Sequence, residues 1–230
     1  MESSFEIRPI GHIENDFPAK FGIPRQSGLA NELVSRIVFE PEYRDENALR
    51  GIEGYSHLWL IWQFSSVPDG KWSPTVRPPR LGGNTRVGVF ATRSPNRPNR
   101  LGLSSVGLLG VEDIKGCGKV LLVTGADLMD GTPIFDIKPY LRFTDSHPDA
   151  VGGFADSVLE HRLFVSYLCD TALLSDDRRA ALTELLSQDP RPSYQDDPER
   201  VYGFDFADLS VSFCVEGKKL SVLNIEKRKK

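Results

Sequence analysis

At 230 residues the chain falls between one and two domains of about 150 residues each, and its 40% hydrophobic content excludes a mainly disordered polymer. No apolar run approaches the roughly 18 residues of a membrane span. The opening Met1-Glu2-Ser3-Ser4-Phe5-Glu6 lacks the basic and apolar regions of a secretory signal, so a cytoplasmic protein is expected.

In chain order, β-like runs fall at residues 5–13, 35–40, 57–64, 86–92, 105–111, 119–124 and 134–140. Pro and Gly turn signals such as Pro78-Pro79, Gly82-Gly83 and Asp130-Gly131 separate them, and one short helical stretch lies near 46–52. Many short strands without intervening helices predict a barrel or a sandwich and disfavour a doubly wound sheet. Residues 144–157, rich in Asp, Ser, Gly and Pro, read as a connector. Beyond it, Leu159, Leu163, Val165 and Tyr167 suggest a helix over 158–168, and Ala180, Leu182, Leu185 and Leu186 a second over 176–187. Residues 203–225 alternate and turn at Glu216-Gly217, a hairpin. The expected fold is mainly β, with a β-rich domain at 1–143 and a small α+β domain at 158–230.

Charge is unevenly distributed. The net charge is −4, yet residues 71–111 hold seven cations (Lys71, Arg77, Arg80, Arg86, Arg93, Arg97, Arg100) and no acid. The rest of the chain has 21 basic and 32 acidic residues, a net −11. A basic block in an acidic background points to a polyanion. Cys117, Cys169 and Cys214 make no CxxC, and the four histidines make no ligand pair, so reduced thiols and no metal are expected. His57, inside an apolar run, reads as a hydrogen-bonded core or pocket residue. No G-x-G-x-x-G, Walker loop, H-E-x-x-H or G-x-S-x-G occurs.

Three polar clusters remain. Pro24-Arg25-Gln26-Ser27-Gly28 sets a guanidinium and an amide beside a stiff backbone. Residues 89–104 project Arg93, Arg97 and Arg100 from a loop stiffened by Pro95 and Pro98, suited to phosphate or carboxylate. In the third, Asp127-Leu128-Met129-Asp130 precedes Asp136-Ile137-Lys138-Pro139-Tyr140. Its acids suit ribose hydroxyls or an ammonium group, and equally suit Asx turns.

The words Pro24-Arg25-Gln26, Arg77-Pro-Pro-Arg80-Leu-Gly-Gly, Gly88-Val-Phe-Ala-Thr-Arg93-Ser, Asp130-Gly-Thr-Pro and Asp136-Ile-Lys138-Pro-Tyr140 resemble the TsaA-like (TrmO) family. The similarity runs through residues 5–143 and reaches Arg191-Pro192-Ser193-Tyr194. The resemblance implies a β-barrel catalytic domain, S-adenosyl-L-methionine as methyl donor, a homodimer, and a tRNA substrate. The substrate position would be the N6 nitrogen of N6-threonylcarbamoyladenosine at position 37, in the anticodon stem-loop. It further implies a cofactor pocket of Pro24, Arg25, Gln26, Phe64, Ser65, Arg93, Leu103, Asp127, Leu128, Met129 and Asp130. Many relatives carry His where this chain has Ser65, which implies a backbone role there.

Because the N6 lone pair is delocalised, the nitrogen must lose a proton, so Asp136 and Tyr140 are the candidate bases and Lys138 favours a developing anion. Arg86, Arg97, Arg100 and Arg191 are candidates for RNA phosphates or the threonyl carboxylate. Two other classes fit the same residues: a non-enzymatic RNA-binding barrel, and a methyltransferase acting on a small anionic molecule.

Overall fold

The computed structural model describes residues 6–19, 22–24, 26–29, 31, 33–67, 72–78, 81, 84–158, 162–191 and 197–228. The fold is mainly β. Six strands, β1 (Gly11–Glu14), β2 (Val34–Phe39), β3 (His57–Gln63), β6 (Leu101–Ile114), β7 (Gly118–Thr124) and β8 (Pro133–Pro139), each pair with two neighbours and close a barrel in the order β1-β2-β7-β6-β3-β8. Between β3 and β6 lies a two-stranded ribbon, β4 (Thr75–Val76) with β5 (Val87–Gly88).

Alternation sets the barrel's two faces. Along β3, Leu58, Leu60 and Trp62 point into the core while His57, Trp59, Ile61 and Gln63 point outward. Ile13, Ile37, Val106, Leu121, Val123 and Ile134 complete the filling. The 14-residue β6 serves both neighbours: Leu101 to Gly107 pair with β3, and Gly107 to Ile114 pair with β7 across a bulge at Leu108/Gly110.

The second sheet has the order β10-β11-β12-β9, from β9 (Phe164–Tyr167), β10 (Tyr202–Phe206), β11 (Leu209–Glu216) and β12 (Lys219–Lys227). After the four-residue α1 (Arg142–Asp145), the 12-residue α2 (Asp176–Ser187) is the longer α-helix among the described residues, and it buries Ala181, Leu182, Leu185 and Leu186 against this sheet. Ser175 caps it by accepting from the Arg178 amide, with Asp176 and Asp177 in the first turn. No helix among the described residues is long and apolar enough to cross a membrane.

Several expectations need correction. The helix expected over 158–168 is instead strand β9 where it is described, parallel to β12. Leu163, Val165 and Tyr167 share a face at every second residue while Phe164 points to solvent, so the signal was period 2. The strand expected over 86–92 is the short β5 followed by a 3-10 turn, Val89–Ala91. The helical stretch near 46–52 is a set of 3-10 turns, Pro41–Tyr43, Glu46–Leu49 and Ile52–Gly54. Residues 203–225 hold two turns, because Ala207, at φ 54°, reverses the chain between β10 and β11. His57 is exposed, its Nδ1 2.9 Å from the Ser56 hydroxyl, and belongs to neither core nor pocket.

The N-terminal stretch between β1 and β2 joins the second core. Phe17, 3% exposed, packs on Phe206, and Leu33 and Ile23 adjoin the same cluster. Arg178 reaches Asp16 at 3.2 Å and Asp208 at 3.1 Å, and the Gln188 amide donates to Leu29 O at 2.9 Å. Phe17→Ala should therefore cost about 3–5 kcal/mol in chemical denaturation, as a core phenylalanine rather than a loop residue.

Candidate active site

A cavity of about 500 Å³ opens at one end of the barrel. The end of β3 contributes Trp62 and Gln63, followed by Phe64, Ser65 and Ser66; the start of β6 contributes Leu101, Gly102 and Leu103. Asp127, Met129 and Thr132 enter from the β7–β8 loop, Ile23, Pro24 and Gln26 from the β1–β2 loop, and Arg93 and Arg97 from the basic loop.

The Trp62 indole forms a wall. It meets Phe64 edge-on at 4.4 Å between centroids and donates through Nε1 to Ser104 Oγ at 2.9 Å. The Ser104 hydroxyl in turn donates a hydrogen bond to Asp127 Oδ1 at 2.5 Å. Burial pushes the Asp127 carboxyl above the ordinary 3.8, opposed by hydrogen bonds from Ser104 and backbone and by the nearby Arg93 charge. Arg93 in turn donates to Gln26 Oε1. The cavity thus combines aromatic and thioether walls with one carboxylate and a guanidinium–amide pair.

Of the residues expected to hold a cofactor, Pro24, Gln26, Phe64, Ser65, Arg93, Leu103, Asp127 and Met129 line this cavity; Arg25 lies outside the described residues. Leu128 and Asp130 do not line it. Leu128 is fully buried in the barrel core, and Asp130 accepts from the Asn15 amide at 3.0 Å, which fastens the β7–β8 loop to the strand end of β1. Of the missed lining residues, Trp62, Gln63, Leu101 and Gly102 sit where β3 ends and β6 begins, Trp59 lies in mid-β3, and Ile23, Ser66 and Thr132 come from loops, places fixed by barrel closure and invisible in local words.

Asp136, Lys138 and Tyr140 do not line the cavity. They border it on the outer face of β8. Lys138 pairs across the sheet with Trp59, and Asp136 with Ile61, which itself pairs with Leu103. Tyr140 packs against Trp59 at 5.6 Å, and Trp59 lines the cavity. Lys138 Nζ holds Asp136 Oδ2 at 2.8 Å.

The arginines divide differently from expectation. Arg97 lines the cavity and donates to Val89 O at 3.2 Å and Thr92 O at 2.9 Å, bracing its own loop. Arg100 donates to Val67 O at 3.0 Å. Arg191, 7% exposed, donates to both carboxylate oxygens of Asp189. Arg86 is exposed on β4–β5, held by Thr75 Oγ1 at 2.8 Å.

Two expectations follow for the cavity itself. A Cβ at residue 102 would overlap the Trp62 indole, so Gly102→Ala should lower stability by about 1–3 kcal/mol and shift tryptophan emission. Because the folded chain holds the Asp127 proton more tightly than the unfolded chain, this group's contribution is complete below 3.8 and is lost as pH rises through the folded value. Asp127→Asn should remove that loss: as pH rises from about 4 its melting temperature should gain on the parent's, and the gain should level off once the folded carboxyl has ionised.

Comparison with known proteins agrees along the whole chain. Residues 12–146 match the tRNA-methyltransferase O N-terminal domain, and residues 170–228 the TrmO C-terminal domain. The tRNA (adenine(37)-N6)-methyltransferase of Escherichia coli (strain K12) is 41% identical over 236 residues, covering 98% of this chain and all of that protein. An Eikenella corrodens protein of the same name is 49% identical over 70% of this chain and 92% of its own length. A crystal structure of TrmO from Pseudomonas aeruginosa superposes with a TM-score of 0.78 at 31% identity, covering 97% of this chain and all of that one. The chain belongs to the tRNA-methyltransferase O family.

Proposed function

We infer that the protein is an S-adenosyl-L-methionine-dependent tRNA methyltransferase acting on the N6 nitrogen of N6-threonylcarbamoyladenosine at position 37, in the cytoplasm. The observation that carries this reading is the convergence, in one cavity, of Pro24, Gln26, Phe64, Arg93 and Asp127 from four separate stretches of a chain that matches the family end to end.

The cavity's chemistry fits the donor. Asp127 suits its ammonium or ribose hydroxyls, the Arg93–Gln26 pair its carboxylate, and Trp62, Phe64 and Met129 its adenine and sulfonium portions. S-Adenosyl-L-methionine supplies an electrophilic methyl group. The chain's own residues must then orient the adenosine nitrogen and remove its proton. Asp136, on the outer face of β8, or Tyr140 just past that strand receives that proton, and Lys138 stabilises the negative charge that develops on the carbamoyl group.

The exposed Leu103 (55%) and neighbouring Leu101 lie on the same outer face as Trp59 and Lys138. A second copy covering this apolar strip would close the cavity, which supports a homodimer; sedimentation equilibrium should give twice 25.7 kDa. The tRNA would approach through the basic segment, with Arg86 the exposed phosphate contact.

Mass spectrometry of position 37, in tRNA incubated with the protein and donor, tests the activity. Asp136→Asn should lower turnover by about 10²–10⁴-fold with donor affinity unchanged, whereas Arg93→Ala and Asp127→Asn should weaken donor binding in calorimetry. Full turnover by Asp136→Asn would overturn Asp136 as the base and leave Tyr140.

A further inference from the structure

Two aromatic side chains of the basic segment lie outside everything described above. Phe90 is 76% exposed and Trp72 47% exposed, and their rings stack at 24° with centroids 6.3 Å apart. An exposed phenylalanine on a floppy loop would be unremarkable, but this one is held rigidly. It occupies the middle of the 3-10 turn Val89–Ala91, whose first residue is almost fully buried. Val89 N donates to Pro74 O at 3.0 Å, Thr92 closes the turn on Val89 O through both its amide and its hydroxyl, and Arg97 grips Val89 O and Thr92 O. On the other side, Ser73 N donates to Asn96 O, which ties the residue after Trp72 to the same loop. The turn therefore buries its valine and presents its phenylalanine to solvent against a tryptophan.

The surroundings select the partner. Arg77 and Arg86, both exposed, flank the cross-strand pair Val76–Val87 of the same ribbon, in a segment without a single acid. Flat aromatic surface beside guanidinium groups is how single-stranded nucleic acid is held: phosphates meet the cations and an unpaired base lies on the rings. The platform also adjoins the cavity, since Arg97 lines the cavity with the guanidinium that fixes the Phe90 turn.

We propose that Trp72 and Phe90 form a stacking platform for an unpaired tRNA loop base next to the adenosine that enters the cavity. The proposal rests on the tRNA reading above and adds to it the residues that grip a neighbouring nucleotide.

The test is tRNA affinity across a salt series for the intact protein, Phe90→Ala, Trp72→Ala, Phe90→Tyr and Arg86→Ala, with donor binding by calorimetry in parallel. Phe90→Ala and Trp72→Ala should each weaken tRNA binding about tenfold, with the salt slope, melting temperature and donor affinity unchanged, because stacking carries no charge. Phe90→Tyr should retain parental affinity, and Arg86→Ala should flatten the slope by about one unit. Parental tRNA affinity in both alanine variants would overturn the platform. So would a change from dimer to monomer in Phe90→Ala, which would make the rings a contact between copies. If the intact protein binds the donor but no tRNA, the RNA reading itself falls, and the platform with it.

Discussion

The Trp62 indole can lie across β6 only because residue 102 has no side chain, and the candidate site is arranged around that contact. A buried indole needs an acceptor for its N–H. Ser104, one inward position further along β6, supplies it and donates its own hydroxyl hydrogen bond to Asp127. The consequence is directional: the indole fixes the serine, and the serine fixes one carboxylate oxygen at the cavity wall. Leu101 and Leu103, the alternate residues, necessarily face the other way, so the cavity is bounded both by the inward side of β6 and by its outward leucines. A strand that merely passed through the barrel could not do this. A strand that begins at the barrel's rim can.

The second sheet matters to the site through the β1–β2 loop. Ile23 packs against the second core and also lines the cavity, with Pro24 and Gln26 immediately after it. Phe17 and Leu33 hold the two ends of that loop in the second core, and Gln188, just past α2, grips it at Leu29 O. The C-terminal strands and helix thus act as the foundation for Gln26, the partner of Arg93. An element of the sequence that looks like an appendage is the support for one wall.

What could be read in the sequence followed from how far apart the interacting residues are. The strand β3 and helix α2 were legible because alternation and helical spacing are local, and α2 carries its own cap. The cavity residues Gln26, Arg93 and Asp127 were legible as chemistry because donors and acids cluster beside prolines and turns. Asp130 was legible as a polar residue, but its hydrogen bond from the Asn15 amide, 115 residues away, was not. Trp59 and Trp62 sit in one apolar run at positions of opposite parity; only closure of the barrel tells which one faces inward. The β9 error has the same origin. Three apolar residues at alternate positions beside an unrelated leucine satisfy a loose helical template, and the parallel partner β12 that decides the matter is some 50 residues further on.

The arginines differ in whether their neighbours cancel their charge. Arg178 and Arg191 lie against carboxylates, so their charge is largely cancelled where they sit. Arg86 and Arg97 instead bond to a hydroxyl and to carbonyl oxygens, which are neutral. Those hydrogen bonds fix the guanidinium groups without consuming their charge. In a segment with no acid, structural employment and electrostatic employment therefore do not compete: Arg97 can brace the turn beside the cavity and still add to the potential that a polyanion meets. The sequence requirement for such a loop is the absence of Asp and Glu as much as the presence of Arg. That absence over residues 71–111, in a chain with more acids than bases, leaves the cations of this segment without an acid close by in sequence.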